Sequence, residues 1–184
     1  MWLNAPVKQV AFSYQFHIKN NPSPKTLENA DFYPVIHRIS KVVLVLFLAL
    51  LLIIQVILLN IVFSREIALI FAFLMAVQPY LIGIDRWFHL TSLESYLGFT
   101  SILFLLLWSS SLKRKYIIFS GILYALALLS KISALLIMPI FILLIIFRLL
   151  RENGGLTEIA KIFFFFLFPL IITFLVLFPA LLVN

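Results

Sequence analysis

The chain has 184 residues, of which 64% are hydrophobic and only 11% charged, with 20 phenylalanines and a net charge of +7. That balance lies far outside the soluble range and marks an integral membrane protein. The absence of cysteine excludes disulfides and thiolate metal sites, and three scattered histidines offer no pair at ligand spacing. No cofactor is implied beyond a divalent cation held by carboxylates, which the composition leaves open.

Residues 1–38 are the only extended polar region, carrying the turn-forming run Asn20-Asn21-Pro22-Ser23-Pro24 and a second break at Pro34. They read as an outer-side loop. Met1-Trp2-Leu3 is followed by neither a basic n-region nor an apolar h-region, so this is not a signal peptide. Phe12, Tyr14, Phe16 and His17 alternate with polar neighbours, which suits either an amphipathic segment lying on the membrane or an unstructured tail. Asn21-Pro22-Ser23 is no glycosylation acceptor, because proline occupies the middle position.

The rest, residues 39–184, reads as a transmembrane helical domain. About 20 apolar residues span the hydrocarbon core of a bilayer, and the expected spans are 39–63, 66–84, 88–108, 116–130, 132–150 and 159–183. Since Ser130-Lys131 is a very short break, 116–150 can also be drawn as one bent hairpin. A transmembrane barrel would alternate apolar and polar residues at period two, whereas these runs are apolar on every face. The expected fold class is therefore all-α: a polytopic bundle of about six helices.

Positive residues in short loops set orientation. Lys113-Arg114-Lys115 falls between the third and fourth spans, and Arg148, Arg151 and Lys161 flank the loop between the fifth and sixth. Both loops are expected inside, with Arg65. Alternation then puts the 85–89 and 130–131 connections outside, together with residues 1–38, whose lysines pull the other way. Because the basic residues lie at span ends, loop placement and contact with anionic membrane lipid explain the net charge, and nucleic-acid binding is not expected. Trp87 and Trp108 fit an interfacial aromatic belt. Gln55 and Asn60 fit hydrogen bonding between helices.

The run AFLMAVQPYLIGIDRWFHLTSLESYLGFTSILFLLLW, a short basic loop, and YIIFSGILYALALLSKISALLIMPIFILL together resemble the GT-C class of membrane glycosyltransferases. More narrowly, the likeness is to the dolichyl-phosphate-mannose protein mannosyltransferase and RgtA/B/C/D-like group. It rests on Pro79, Arg86 and His89, then Gly121, Ser130, Lys131 and Pro139, and covers residues 35–150. The resemblance implies sugar transfer from a polyprenyl-phosphate donor to a glycan, lipid or protein acceptor on the outer side, in a cell (plasma) membrane. It also implies a fragment, since the acidic residue of the family's first outer loop would precede Met1. Thr91 stands where such relatives often place Asp or Glu, and Glu94 follows three residues on.

For a lipid-phosphate donor, a guanidinium offers two parallel hydrogen bonds to phosphate, so Arg86 is a candidate clamp with His89, and Lys131 is a second cation on the same expected face. Asp85 or Glu94 would take the acceptor proton as the catalytic carboxylate. Plainer readings stand beside these. Arg86 and Lys131 can simply snorkel to the interface, Asp85 can pair with Arg86, and His89 can be structural. A non-enzymatic polytopic protein (a transporter, channel or assembly subunit) is the alternative function, although Pro79, Pro139, Pro169 and Pro179 show no repeat spacing of the kind transporters carry.

Overall fold

The computed structural model describes residues 33–79, 83, 90–151 and 156–177. It is all-α, with six α-helices among these residues: α1 (Tyr33–Val62), α2 (Arg65–Val77), α3 (Leu90–Ser111), α4 (Arg114–Ser130), α5 (Met138–Arg151) and α6 (Leu156–Leu177), plus a 3-10 segment at Ile132–Ile137. The chain divides into two compact units, Met1–Ala49 and Leu50–Asn184. The second unit holds the end of α1 and all of α2 to α6.

Three stretches, Arg38–Val62, Leu90–Ser111 and Ala160–Leu177, are long and apolar enough to cross a membrane. These support multi-pass membrane residence. Such helices close their backbone hydrogen bonds internally, which lipid cannot do for them. The boundaries depart from the sequence expectation at definite places. α1 begins at Tyr33 instead of 39, because Pro34 falls in the first turn, where its missing N–H is one of the unpaired donors anyway. α2 stops at Val77, well short of 84: its C-cap Gln78 is extended, as expected for a residue preceding Pro79.

The fifth expected span is not one helix. Lys131, just before it, is extended, the first six residues wind as the 3-10 segment, and α5 starts only at Met138. Pro139 explains the change of winding. Lacking an N–H, it cannot bond the carbonyl of Leu135, and that carbonyl instead accepts from Met138 through a tighter i→i−3 bond.

α4 lies between α3 and α6. Its closeness to α3 comes from two serines facing each other. Ser101 Oγ donates to the Ser120 carbonyl at 2.7 Å, and Ser120 Oγ donates to the Ser101 carbonyl at 2.9 Å, both fully buried. On the α6 side the approach depends on Gly121, where an added Cβ would come within 2.4 Å of the Phe166 carbonyl oxygen and 3.2 Å of Pro169 Cγ. Around this contact Tyr124, Phe141 and Phe166 pack into a buried aromatic group with tilted rings, and Trp108, Ile117 and Ile145 continue the same core. Trp108 is thus a core residue, correcting the interfacial-belt expectation, because it shares the helical face of Ser101 and Leu105 that meets α4.

That turn is short. Leu112 takes a left-handed conformation, φ 58°, and its N–H reaches back to the Trp108 carbonyl at 2.7 Å, closing α3 with a single 5→1 bond. Glycine is the usual residue there; leucine bears a strain of about 1–2 kcal/mol. Leu112 is exposed, so little packing is lost on replacing it.

Leu112→Gly is expected to raise unfolding stability in detergent by about 1 kcal/mol, read as a higher midpoint in thermal unfolding. Gly121→Ala is expected to act oppositely, costing roughly 1–3 kcal/mol as α6 is pushed away.

Candidate functional site

The opening turns of α3 are polar although the helix sits inside the bundle: Ser92, Glu94, Thr100 and Ser101 are all buried. A carboxylate in that setting requires a partner. Glu94, only 8% exposed, finds one in Ser133, whose hydroxyl donates to Oε1 at 2.6 Å, the short length expected of a hydroxyl meeting a carboxylate. One turn earlier, Lys131 Nζ donates to Thr91 Oγ1 at 3.2 Å.

These contacts form a ladder. Thr91, Glu94 and Gly98 rise along one face of α3 at helical spacing, and they meet Lys131, Ser133 and Ile137 in the same order. The 3-10 segment therefore runs alongside the first two turns of α3. Gly98 leaves room for the end of the Ile137 side chain, whose Cδ1 would lie 2.8 Å from a Cβ there. Tyr124 anchors the segment from the other side, donating to the Ala134 carbonyl at 3.0 Å. Ser130, the last residue of α4, turns its hydroxyl back to the Leu126 carbonyl at 2.8 Å and so takes no part.

Of the residues singled out from sequence, Glu94 and Lys131 are brought to the same end of the α3–α4 hairpin. Glu94 is buried and Lys131 exposed. Asp85, Arg86 and His89 lie outside the described residues, as does Trp87. The partners of Glu94 and Lys131 are Ser133, which the sequence did not single out, and Thr91, which drew notice only as a position where the resemblance expects an acid. The available signal was spacing: Thr91 and Glu94 share a helical face, and Ser133 follows Lys131 by two residues. Nothing in the sequence alone pairs positions 39 or 40 residues apart. Ser92 Oγ is buried at the same end with no hydrogen-bond partner among the described residues.

Further down α3, Gln55 bridges from α1. Its Nε2 donates to the Tyr96 carbonyl at 2.9 Å and to Thr100 Oγ1 at 3.0 Å, while Thr100 Oγ1 donates to the same carbonyl at 2.6 Å. This is the interhelical role expected of Gln55; Asn60 is instead exposed. The amide can face only one way, because a reversed Gln55 would set two acceptor oxygens together, and its Oε1 is buried without a partner among the described residues. Among the described residues no group of three or more His, Asp or Glu is placed to hold a metal ion.

Comparison of the chain with protein-family models, curated proteins and solved structures gives no match. The chemistry open to the site is that of its own residues.

Ser133→Ala is expected to destabilise the protein by roughly 1–3 kcal/mol, because a buried carboxylate loses its hydrogen-bond donor. A double-mutant cycle with Glu94→Gln should return a coupling of about 1 kcal/mol between the two positions; strictly additive effects would rule out a direct interaction.

Proposed function

We propose that this chain is a glycosyltransferase-like membrane protein, or part of one, moving a sugar from a polyprenyl-phosphate donor to an acceptor on the outer side of a cell membrane. The observation that carries the reading is that a buried carboxylate, Glu94, and an exposed cation, Lys131, each bonded to a different partner, come to the same end of the α3–α4 hairpin, whose first helix is long and apolar enough to cross a membrane. The sequence likeness to GT-C transferases over residues 35–150 supplies the reaction class. Together they suggest a donor face and an acid–base group.

In this reading the donor phosphate lies at the interface, where Lys131 meets it as a point charge after exchanging its weak bond to Thr91. Arg86 and His89, within four residues of the start of α3 in sequence, supply further donors. The acceptor hydroxyl oxygen attacks the anomeric carbon, the bond from that carbon to the phosphate oxygen breaks, and the polyprenyl phosphate leaves with the electron pair. Glu94 or Asp85 takes the hydroxyl proton.

A second reading has its own observation. Because Glu94 and Lys131 each already bond a partner on the facing element, the ladder can serve only to lock the 3-10 segment onto α3, in a polytopic protein without chemistry.

One experiment separates the two. Binding of a polyprenyl-phosphate hexose to the purified chain in lipid nanodiscs is expected to be saturable, to weaken roughly 10- to 100-fold in Lys131→Ala, and to be largely kept in Lys131→Arg. A chain that binds no donor, or binds it equally well without the Lys131 charge, belongs to the second reading. The outer-face assignment is checked on its own, since the chain has no cysteine: Ser95→Cys should react with an impermeant thiol reagent from outside, and Lys113→Cys only after the membrane is opened.

A further inference from the structure

The opposite end of the same bundle has a different character. The α3–α4 turn brings Lys113, Arg114 and Lys115 there, all exposed. Arg65 at the start of α2, Arg148 in the last turns of α5 and Lys161 in the first turns of α6 reach the same end. Packing fixes this. Tyr116 lies against both hydrophobic clusters: one holds Leu59, Ala68 and Leu107 beneath Arg65, and the other holds Trp108, Ile117 and Ile145, with Ile162 packed on it, beneath Arg148 and Lys161. The basic residues therefore rim one continuous apolar layer.

Counting Arg151, the sequence of these connections holds seven basic residues against Glu66, Glu152 and Glu158. Arg114 is also partly held in place, with its guanidinium carbon 5.1 Å from the centre of the Phe165 ring. Leu112 is exposed in the turn itself, and about one turn along α4 and α6 from Lys115 and Lys161, Phe119 and Phe164 present exposed apolar surface. Cations at the bundle end and apolar side chains one turn along match the two halves of one molecule.

From this arrangement we infer that the basic rim is a docking surface for anionic phospholipid, with the headgroup phosphate among Lys113, Arg114, Lys115 and Lys161 and the acyl chains along Phe119 and Phe164. Charge complementarity, joined to exposed apolar side chains one turn along each flanking helix, selects that occupant. Juxtamembrane lysines and arginines gain most from an anionic leaflet when clustered within a Debye length, as these are on a two-residue turn and its neighbours. The rim is independent of the proposed transferase reaction: it uses none of Thr91, Glu94, Lys131 or Ser133 and lies at the other end of α3, about 33 Å away along the helix.

The test uses the full chain in nanodiscs of equal parts phosphatidylcholine and phosphatidylglycerol, with retained lipid identified by native mass spectrometry. Phosphatidylglycerol is expected to be enriched roughly tenfold, and K113Q/R114Q/K115Q to bring retention back to near parity. Equal retention of the two lipids by the unaltered chain would overturn the inference, as would undiminished enrichment in a triple variant that folds normally by circular dichroism. Should that variant not fold, a salt series on the unaltered chain decides. Enrichment that falls toward parity as ionic strength rises supports the rim, and enrichment indifferent to salt overturns it.

Discussion

Everything in the second unit depends on how closely α4 approaches its two neighbours. In an apolar medium there is no hydrophobic gain from bringing helices together, so association rests on dispersion contact and on hydrogen bonds between helices. Ser101 and Ser120 provide both, since small side chains let the backbones meet and each hydroxyl finds the other's carbonyl. Gly121 does the same toward α6 with no polar group at all, giving the space a side chain would fill to the Phe166 carbonyl and the Pro169 ring. With α4 fixed between α3 and α6, the direction in which the chain leaves Ser130 is fixed too, and that direction brings the 3-10 segment onto α3.

α3 is the most enclosed of the described helices and carries more of the buried polar side chains than any other, which inverts the soluble pattern. Serine, threonine and glutamate face inward while leucine, isoleucine and phenylalanine of the surrounding helices face outward. The inversion follows from the solvent. A buried polar group costs free energy only if it lacks a partner, and the bundle interior is where partners are found. Gln55, Thr100 and the Tyr96 carbonyl form one such meeting point, and Glu94 with Ser133 another.

Much of the fold was legible in the sequence, because a run such as 39–63 can hardly be anything but a membrane-length helix. The lesser features were not. Hydropathy continues smoothly through 66–84, yet a proline at 79 ends α2 early; it continues equally through 132–150, yet Pro139 forces a tighter winding ahead of α5. A hydropathy window is blind to backbone donors. Glu94 and Lys131 were found from sequence because charge in an apolar run is conspicuous, whereas Thr91 and Ser133 are chemically ordinary and acquire meaning only from the fold. Trp108 shows the converse error: an aromatic near a span end suggests the interface, but its place on the face of α3 that meets α4 puts it in the core.

The connection at Lys131 has a final consequence for what lengths of chain this fold accepts. A single extended residue separates Ser130, the end of α4, from Ile132, the start of the 3-10 segment, so there is no slack in which an added or deleted residue could be absorbed. One insertion after Ser130 would turn the 3-10 segment by about a third of a turn, carrying Ser133 away from Glu94 and Ile137 out of the space above Gly98 together. Natural variation in length at this bend should therefore be far rarer than variation in side chains, which inverts what is usual for connections between helices.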